Sequence, residues 1–170
     1  MESLIAYSIP FSGLKDGLHL FDYQIDKTFF ECFPETPITD GKFQVHVEFD
    51  KKPTVVDLLI DFKGSTALTC DRCLEMMELP LNGQNQLLLK YSEEPREEAD
   101  VVYIPRELET INIAKYIYEF ICLAIPLIKT HDLVPDAECD ESMRSFLEIK
   151  DNSTPEDNQL WNQLKNIKLN

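Results

Sequence analysis

Basic residues are scarce in this sequence. The 170 residues include 16 lysines and arginines against 31 aspartates and glutamates, so the formal net charge is -15. A protein that grips a phosphate backbone usually presents a basic face and gains affinity by releasing counterions. No cluster of lysines and arginines interleaved with aromatic residues occurs here. Strong direct binding of RNA or DNA is therefore disfavoured, whereas an acidic surface suits basic protein partners or simply keeps the protein in solution.

Long apolar runs are also absent. No stretch approaches the roughly 18 to 20 apolar residues that a membrane-spanning helix requires, and the first ten residues lack the basic region and apolar core of a secretion signal. Five cysteines are an odd and sparse set, which does not suit a disulfide framework and indicates a reducing compartment. We therefore expect a soluble, cytoplasmic protein with no membrane partner.

Catalytic motifs are missing as well. The sequence has no glycine-rich phosphate loop, no Gly-x-Ser-x-Gly and no two histidines paired on one helix. Its histidines, His19, His46 and His131, are too few and too scattered to nominate a general base. We expect a protein that is not an enzyme, and no small-molecule substrate can be identified from the sequence.

The apolar pattern predicts a sheet. Apolar residues alternate over 18–25, 43–49 and 56–63, the last run ending at Gly64, and further extended runs lie at 79–91 and 101–104. The stretch 92–100 is charged and nearly devoid of apolar residues, which predicts an exposed loop. Consecutive short strands separated by turn signals are typical of an antiparallel, meandering sheet.

One principal helix is predicted after these strands. Asn112 is placed as the N-cap, apolar residues recur at helical spacing over 113–124, and Pro126 stops the helix. The sequence thus predicts an α+β fold in which an antiparallel sheet packs with one principal helix. We expect a single domain at 1–150, and a C-terminal tail at 151–170 with a short amphipathic helix. The apolar residues of that tail are Leu160, Trp161, Leu164 and Ile167.

A C-x2-C motif, Cys70 and Cys73, is the most informative local feature. Two thiolates at this spacing can face one metal ion across a tight turn, so the motif is the usual half of a structural zinc site. It is also the usual dithiol of redox proteins, where a reactive thiolate often lies at a helix N-terminus. Two ordinary thiols at a turn are a third interpretation. The flanking pattern, strand on both sides, favours zinc over redox chemistry.

A tetrahedral zinc ion needs two further ligands, and His131 and Cys139 are the only sulfur or imidazole groups close together downstream. Their separation is long, and Pro135 lies between them. The alternative that they are an exposed histidine and a surface cysteine in an acidic loop is therefore held equal to metal binding. If Cys70, Cys73, His131 and Cys139 do bind zinc, the site has four protein ligands and a structural role. For Arg72, we expect an ion pair with a nearby acid such as Asp71 or Glu75.

Four segments carry a family resemblance. They are 68–75 (LTCDRCLE), 111–120 (INIAKYIYEF), 124–126 (AIP) and the tail motif 160–164 (LWNQL). Together they resemble the YceD family, the large ribosomal RNA subunit accumulation proteins. Many members have a cysteine shortly after the A-[LI]-P segment where this chain has His131, and zinc accepts either ligand.

The resemblance implies a function. Members of this family are implicated in the synthesis, processing or stability of large-subunit (23S) ribosomal RNA, with no established enzymatic activity. It implies a ribosome-biogenesis factor that works by binding, with ribosomal or assembly proteins as partners and ribosomal RNA bound indirectly or weakly. Two other classes stay open: a thiol redox protein built on Cys70 and Cys73, and a direct RNA-binding module with a localised basic patch.

Overall fold

The computed structural model of the chain describes residues 2–34 and 36–147. A 3-10 helix at Glu2–Tyr7 comes first, and a second one lies at His131–Leu133. The strands are β1 (Ser8–Ile9), β2 (Gly17–Ile25), β3 (Gly41–Lys51), β4 (Val55–Thr69), β5 (Met76–Tyr91), β6 (Arg96–Glu98), β7 (Val101–Ile104) and β8 (Ile111–Asn112). The α-helices are α1 (Lys27–Phe30), α2 (Ala114–Leu123) and α3 (Glu141–Leu147).

Six strands form the main sheet, in the order β2-β3-β4-β5-β7-β6. Neighbours from β2 to β5 are antiparallel and consecutive in the chain, so they form a meander. Strands β1 and β8 pair with each other in a separate small sheet. This arrangement confirms the α+β prediction with a mostly antiparallel sheet and one principal helix, α2.

The core lies on one face of the main sheet. Alternate residues of β3 and β4 are buried there, in keeping with the period of two that the sequence shows. Helix α2 covers part of this face with apolar side chains spaced about one turn apart. The main buried residues of these three elements are Phe43, Val45, Val47, Phe49, Val56, Leu58, Ile60, Phe62, Ile117 and Ile121.

Strand β4 runs further than the sequence predicted. The predicted end at Gly64 is wrong, because β4 continues to Thr69 and stays paired with β5 along its whole length. The close packing of β3 against β4 requires a glycine at position 64. A Cβ atom there would overlap the carbonyl oxygen of Lys42 and lie 2.7 Å from the Cα of Phe43. The glycine therefore permits a close approach of two strands rather than ending one.

The predicted loop at 92–100 contains a strand. Arg96–Glu98 forms β6, which pairs antiparallel with β7, and β7 pairs in parallel with β5. Local composition could not indicate β6, because its side chains are exposed and charged. Backbone pairing with β7 forms the strand, and Lys115 of α2 adds a 2.6 Å hydrogen bond to Glu97. The sheet is thus mixed at this edge, and the prediction of an antiparallel meander is wrong there.

The start of α2 differs by one residue from the prediction. Its N-cap position is Ile113 rather than Asn112. Asn112 still serves the helix, because its Oδ1 accepts a 2.9 Å hydrogen bond from the backbone N–H of Ala114.

The tail expected at 151–170, with its amphipathic helix, lies outside the described residues, and the domain boundary at 150 stays a prediction. Among residues 2–34 and 36–147, none of the helices has the length and apolar character that crossing a membrane requires.

Candidate metal centre

The first half of the centre is the tight turn between β4 and β5. Strand β4 ends at Thr69 and β5 begins at Met76. The N–H of Cys70 donates to the carbonyl of Glu75 at 2.8 Å, and the N–H of Leu74 donates to the carbonyl of Cys70 at 3.0 Å. Leu74 closes the turn in the left-handed region, with φ of 64°. The turn places both Cys70 and Cys73 in the interior.

The second half follows α2. Pro126 lies in the bend after the helix, and the chain then forms the 3-10 helix that begins at His131. The N–H of Val134 donates to the carbonyl of His131 at 2.9 Å, which closes this short turn. His131 is buried, with only 6% of its surface exposed. The alternative of an exposed histidine is therefore wrong, while Cys139 is half-buried.

The two halves meet at one point. The ligand atoms of Cys70, Cys73, His131 and Cys139 all lie within 4.8 Å of one another. The Sγ atoms of Cys70 and Cys139 are 3.8 Å apart. Nδ1 of His131 lies 3.3 Å from Sγ of Cys73 and 3.5 Å from Sγ of Cys139. The structure thus brings together all four residues that the sequence nominated, and this group could hold a metal ion.

The sulfur–sulfur distance of 3.8 Å and the sulfur–nitrogen distances of 3.3 and 3.5 Å are close to the edges of a zinc tetrahedron. With Zn–S near 2.3 Å and Zn–N near 2.0 Å, tetrahedral geometry puts two sulfurs about 3.8 Å apart and a sulfur and nitrogen about 3.5 Å apart. A disulfide would need about 2.05 Å between sulfurs, and all five cysteines are free. Three sulfurs and one imidazole nitrogen are a donor set that suits zinc.

The Cys70 thiol is predisposed to ionise. Burial opposes its ionisation, but the backbone N–H groups of Cys73, Arg72 and His131 outweigh that effect and lower its pKa to about 6. The N–H of Arg72 points at Sγ of Cys70 from 3.4 Å. Burial and the neighbouring Cys70 and Cys73 sulfurs raise the pKa of Cys139. Thiolates are the form that binds metal, so bound zinc would replace the protons of this cluster.

Two ion pairs join the halves independently of any metal. Asp71 accepts hydrogen bonds from the backbone N–H of Lys129 at 2.7 Å and from its Nζ at 3.1 Å. In return, the N–H of Asp71 donates to the carbonyl of Lys129 at 2.6 Å. Arg72 binds Asp132 with both terminal nitrogens. We call these two pairs, Asp71–Lys129 and Arg72–Asp132, the ionic clamp.

Sequence reasoning missed the clamp. It expected Arg72 to pair with Asp71 or Glu75, and this is wrong because the partner is Asp132, 60 positions away. The available signal was charge complementarity around the predicted ligands: an acid and a base separate the two cysteines, and a base and an acid lie close to His131. Cys32 and Cys122 are half-buried and lie outside the cluster.

Breaking the Arg72–Asp132 pair of the clamp is expected to weaken metal binding more than folding. An exposed ion pair contributes roughly 0–1 kcal/mol to stability, but groups that orient metal ligands typically affect metal affinity about 10- to 100-fold. Arg72→Gln should therefore lower zinc affinity about tenfold, measured by competition with a chromogenic chelator. Arg96→Gln, which breaks the exposed pair with Glu98, is the matched control and should leave the affinity unchanged. The charge swap R72D/D132R should bind zinc more tightly than Arg72→Gln does. If it does not, the ion pair does not support zinc binding.

A model of a protein family matches most of the chain. Residues 58–168 match the family described as "Large ribosomal RNA subunit accumulation protein YceD". The match covers about two thirds of the 170 residues and includes all four clustered residues. No curated protein and no solved structure matches the chain.

Proposed function

The chain belongs to the YceD family of large ribosomal RNA subunit accumulation proteins, and we propose that it supports the synthesis, processing or stability of 23S ribosomal RNA in the cytoplasm. It does so by binding, as a ribosome-biogenesis factor without catalytic activity. The single observation that carries this proposal is the family match over residues 58–168. Residues 1–150 act as one domain, and 151–170 as its tail.

We also propose that one structural zinc ion is bound by Cys70, Cys73, His131 and Cys139. Its support is the donor set and the ligand spacing, with Cys70 and Cys139 sulfurs 3.8 Å apart. Four protein ligands leave no open position for water or substrate, so the ion would stabilise structure rather than catalyse a reaction. It would connect the β4–β5 turn to the segment after α2, which hydrogen bonds and the ionic clamp already hold together.

The turn itself argues against redox catalysis by Cys70 and Cys73. The lowered pKa of Cys70 would suit a reactive thiol. However, the motif connects two antiparallel strands instead of lying at a helix N-terminus, and Cys73 directs its sulfur to His131. A ligand cluster explains the same lowered pKa, because the backbone N–H groups that favour the Cys70 thiolate also favour its binding to a cation.

The partner is proposed to be a basic ribosomal or assembly protein. The support is electrostatic: acidic residues outnumber basic ones by 31 to 16, and a surface of one sign attracts partners of the opposite sign. Ribosomal RNA, itself an anion, is then contacted indirectly or weakly.

Loss of the protein is expected to lower the amount of large-subunit ribosomal RNA relative to small-subunit ribosomal RNA. The measurement compares the two RNAs in cells with and without the gene, and re-expression of the wild-type chain should restore their ratio. An unchanged ratio would overturn the proposed function.

The proposed partner is tested by crosslinking in cells followed by nuclease treatment, which should leave a protein–protein adduct. Ribosomal RNA crosslinked directly, with no protein intermediary, would contradict an indirect contact.

A further inference from the structure

Exposed apolar side chains concentrate around the candidate metal centre. Nine large apolar residues are exposed in the described part of the chain. Six of them lie on the β4–β5 turn and its first strand residue, or on the segment from the end of α2 to the second 3-10 helix. We call these six the apolar rim: Leu74, Met76, Leu123, Leu127, Ile128 and Leu133.

The clamp fixes the two parts of the rim beside each other. Ile128 directly precedes Lys129, which binds Asp71 in the turn, and Leu133 directly follows Asp132, which binds Arg72. Leu127 is 98% exposed and Ile128 71% exposed, so nothing in the described residues covers them. Apolar residues that gather on a surface in this way usually mark a binding site.

The chain itself carries a segment suited to this surface. Residues 160–167 include Leu160, Trp161, Leu164 and Ile167, spaced as one apolar stripe of a helix. This segment follows the metal centre closely in the chain, because α3 begins two residues after Cys139 and ends at Leu147. The twelve residues from 148 to 159 can span at most about 40 Å when fully extended, which allows the segment to reach back to the rim.

Charge favours the same pairing. Residues 158–170 contain Lys165 and Lys168 and no acidic residue, although the chain as a whole is strongly acidic. Residues 132–141 contain five acidic residues and no basic one, and this stretch includes Leu133, the last rim residue in the chain. A segment with an apolar stripe and two lysines is therefore complementary to an apolar surface bordered by acids.

We propose that residues 160–167 bind the apolar rim of the same chain through their apolar side chains. The tether raises the local concentration of the segment to the millimolar range, so even a weak contact is populated. The rim is then an intramolecular docking site that a partner must share or displace. This inference does not depend on zinc or on the role in ribosomal RNA accumulation.

Trp161 reports on the contact directly, because it is the only tryptophan of the chain. In the full-length wild-type protein, its emission should be blue-shifted and shielded from acrylamide. Leu127→Asp with Ile128→Asp should shift the emission toward that of the denatured chain and raise the quenching constant several-fold. Leu164→Asp should have the same effect from the side of the segment.

Leu18→Asp with Leu20→Asp is the matched control, because both side chains are 57% exposed on β2, outside the rim. It should leave Trp161 shielded. Trp161 exposed in the wild type, or shielded but unaffected by the rim substitutions, would overturn the proposal. Shielding that disappears on dilution, together with a dimer in sedimentation, would also overturn it by assigning the contact to a second copy. Far-UV circular dichroism of each variant checks that the fold is retained.

Discussion

Replacing Cys73 by serine is expected to abolish tight zinc binding. Cys73 is 3% exposed and its sulfur lies 3.3 Å from Nδ1 of His131, so no water or other thiol can take its place without rearrangement. A serine hydroxyl is a poor ligand for zinc, and three remaining donors would leave the ion incompletely coordinated. Zinc at a thousandfold excess over its dissociation constant stabilises a folded protein by about 4 kcal/mol. The variant should lose that whole contribution.

Calorimetric titration with zinc and thermal melting in the presence of zinc measure the two effects. Cys122→Ser is the matched control, because this cysteine is half-buried and lies outside the cluster. The control should bind zinc as the wild type does. Wild-type affinity in Cys73→Ser, or a melting temperature that zinc does not change in the wild-type protein, would contradict the role given to Cys73.

Removal of zinc should destabilise the segment that supplies His131 and Cys139 before it destabilises the main sheet. Cys70 and Cys73 belong to the same core as the main sheet, but most of the core residues lie on β3, β4, β5 and α2, so the sheet should persist when the metal is removed. The segment that supplies His131 and Cys139 is held by the clamp, by a few backbone hydrogen bonds and by the packing of Val134 against the core. Amide exchange after chelation should therefore increase there before it increases in β3 and β4.

Replacing Gly64 by alanine is expected to cause a large loss of stability. The added Cβ would overlap the carbonyl oxygen of Lys42 and lie 2.6 Å from Cδ1 and 2.7 Å from the Cα of Phe43. Backbone atoms cannot move aside as a flexible side chain can, so β3 and β4 would have to separate locally. Overpacking a well-packed site typically costs 1–3 kcal/mol, and a backbone clash should cost about 3 kcal/mol or more.

Urea denaturation of Gly64→Ala measures this loss. Gly13→Ala is the matched control, because the nearest atom to its added Cβ would be the carbonyl oxygen of Pro10 at an ordinary 3.7 Å. The control should change the free energy of unfolding by less than about 1 kcal/mol. A Gly64→Ala protein as stable as the control would show that the two strands pack less closely than described.

The sequence predicts what depends on local pattern. Alternation at Phe43, Val45, Val47 and Phe49 indicates β3, because one face of a half-buried strand must be apolar. Gly64 misleads, since a glycine that ends a strand and one that allows two strands to touch look the same in sequence. Strand β6 and the parallel β5–β7 pair depend on contacts between distant segments. No local pattern encodes them.

The metal cluster was predictable for a chemical reason. Zinc restricts its ligands to few residue types, so His131 and Cys139 could be nominated beside Cys70 and Cys73 as the sulfur and imidazole groups close together downstream. The ionic clamp was not predictable in the same way, because acids are abundant in this chain and any of them could have paired with Arg72. Only the turn that begins at His131 selects Asp132 as the partner.

X-ray absorption at the zinc edge of the purified wild-type protein tests the zinc-binding proposal most directly. The account predicts one zinc ion per chain, bound by three sulfurs at about 2.3 Å and one imidazole nitrogen at about 2.0 Å. These are the donors that Cys70, Cys73, Cys139 and His131 supply. A stable, folded protein that contains no zinc, or zinc bound by oxygen and nitrogen without sulfur, would contradict it.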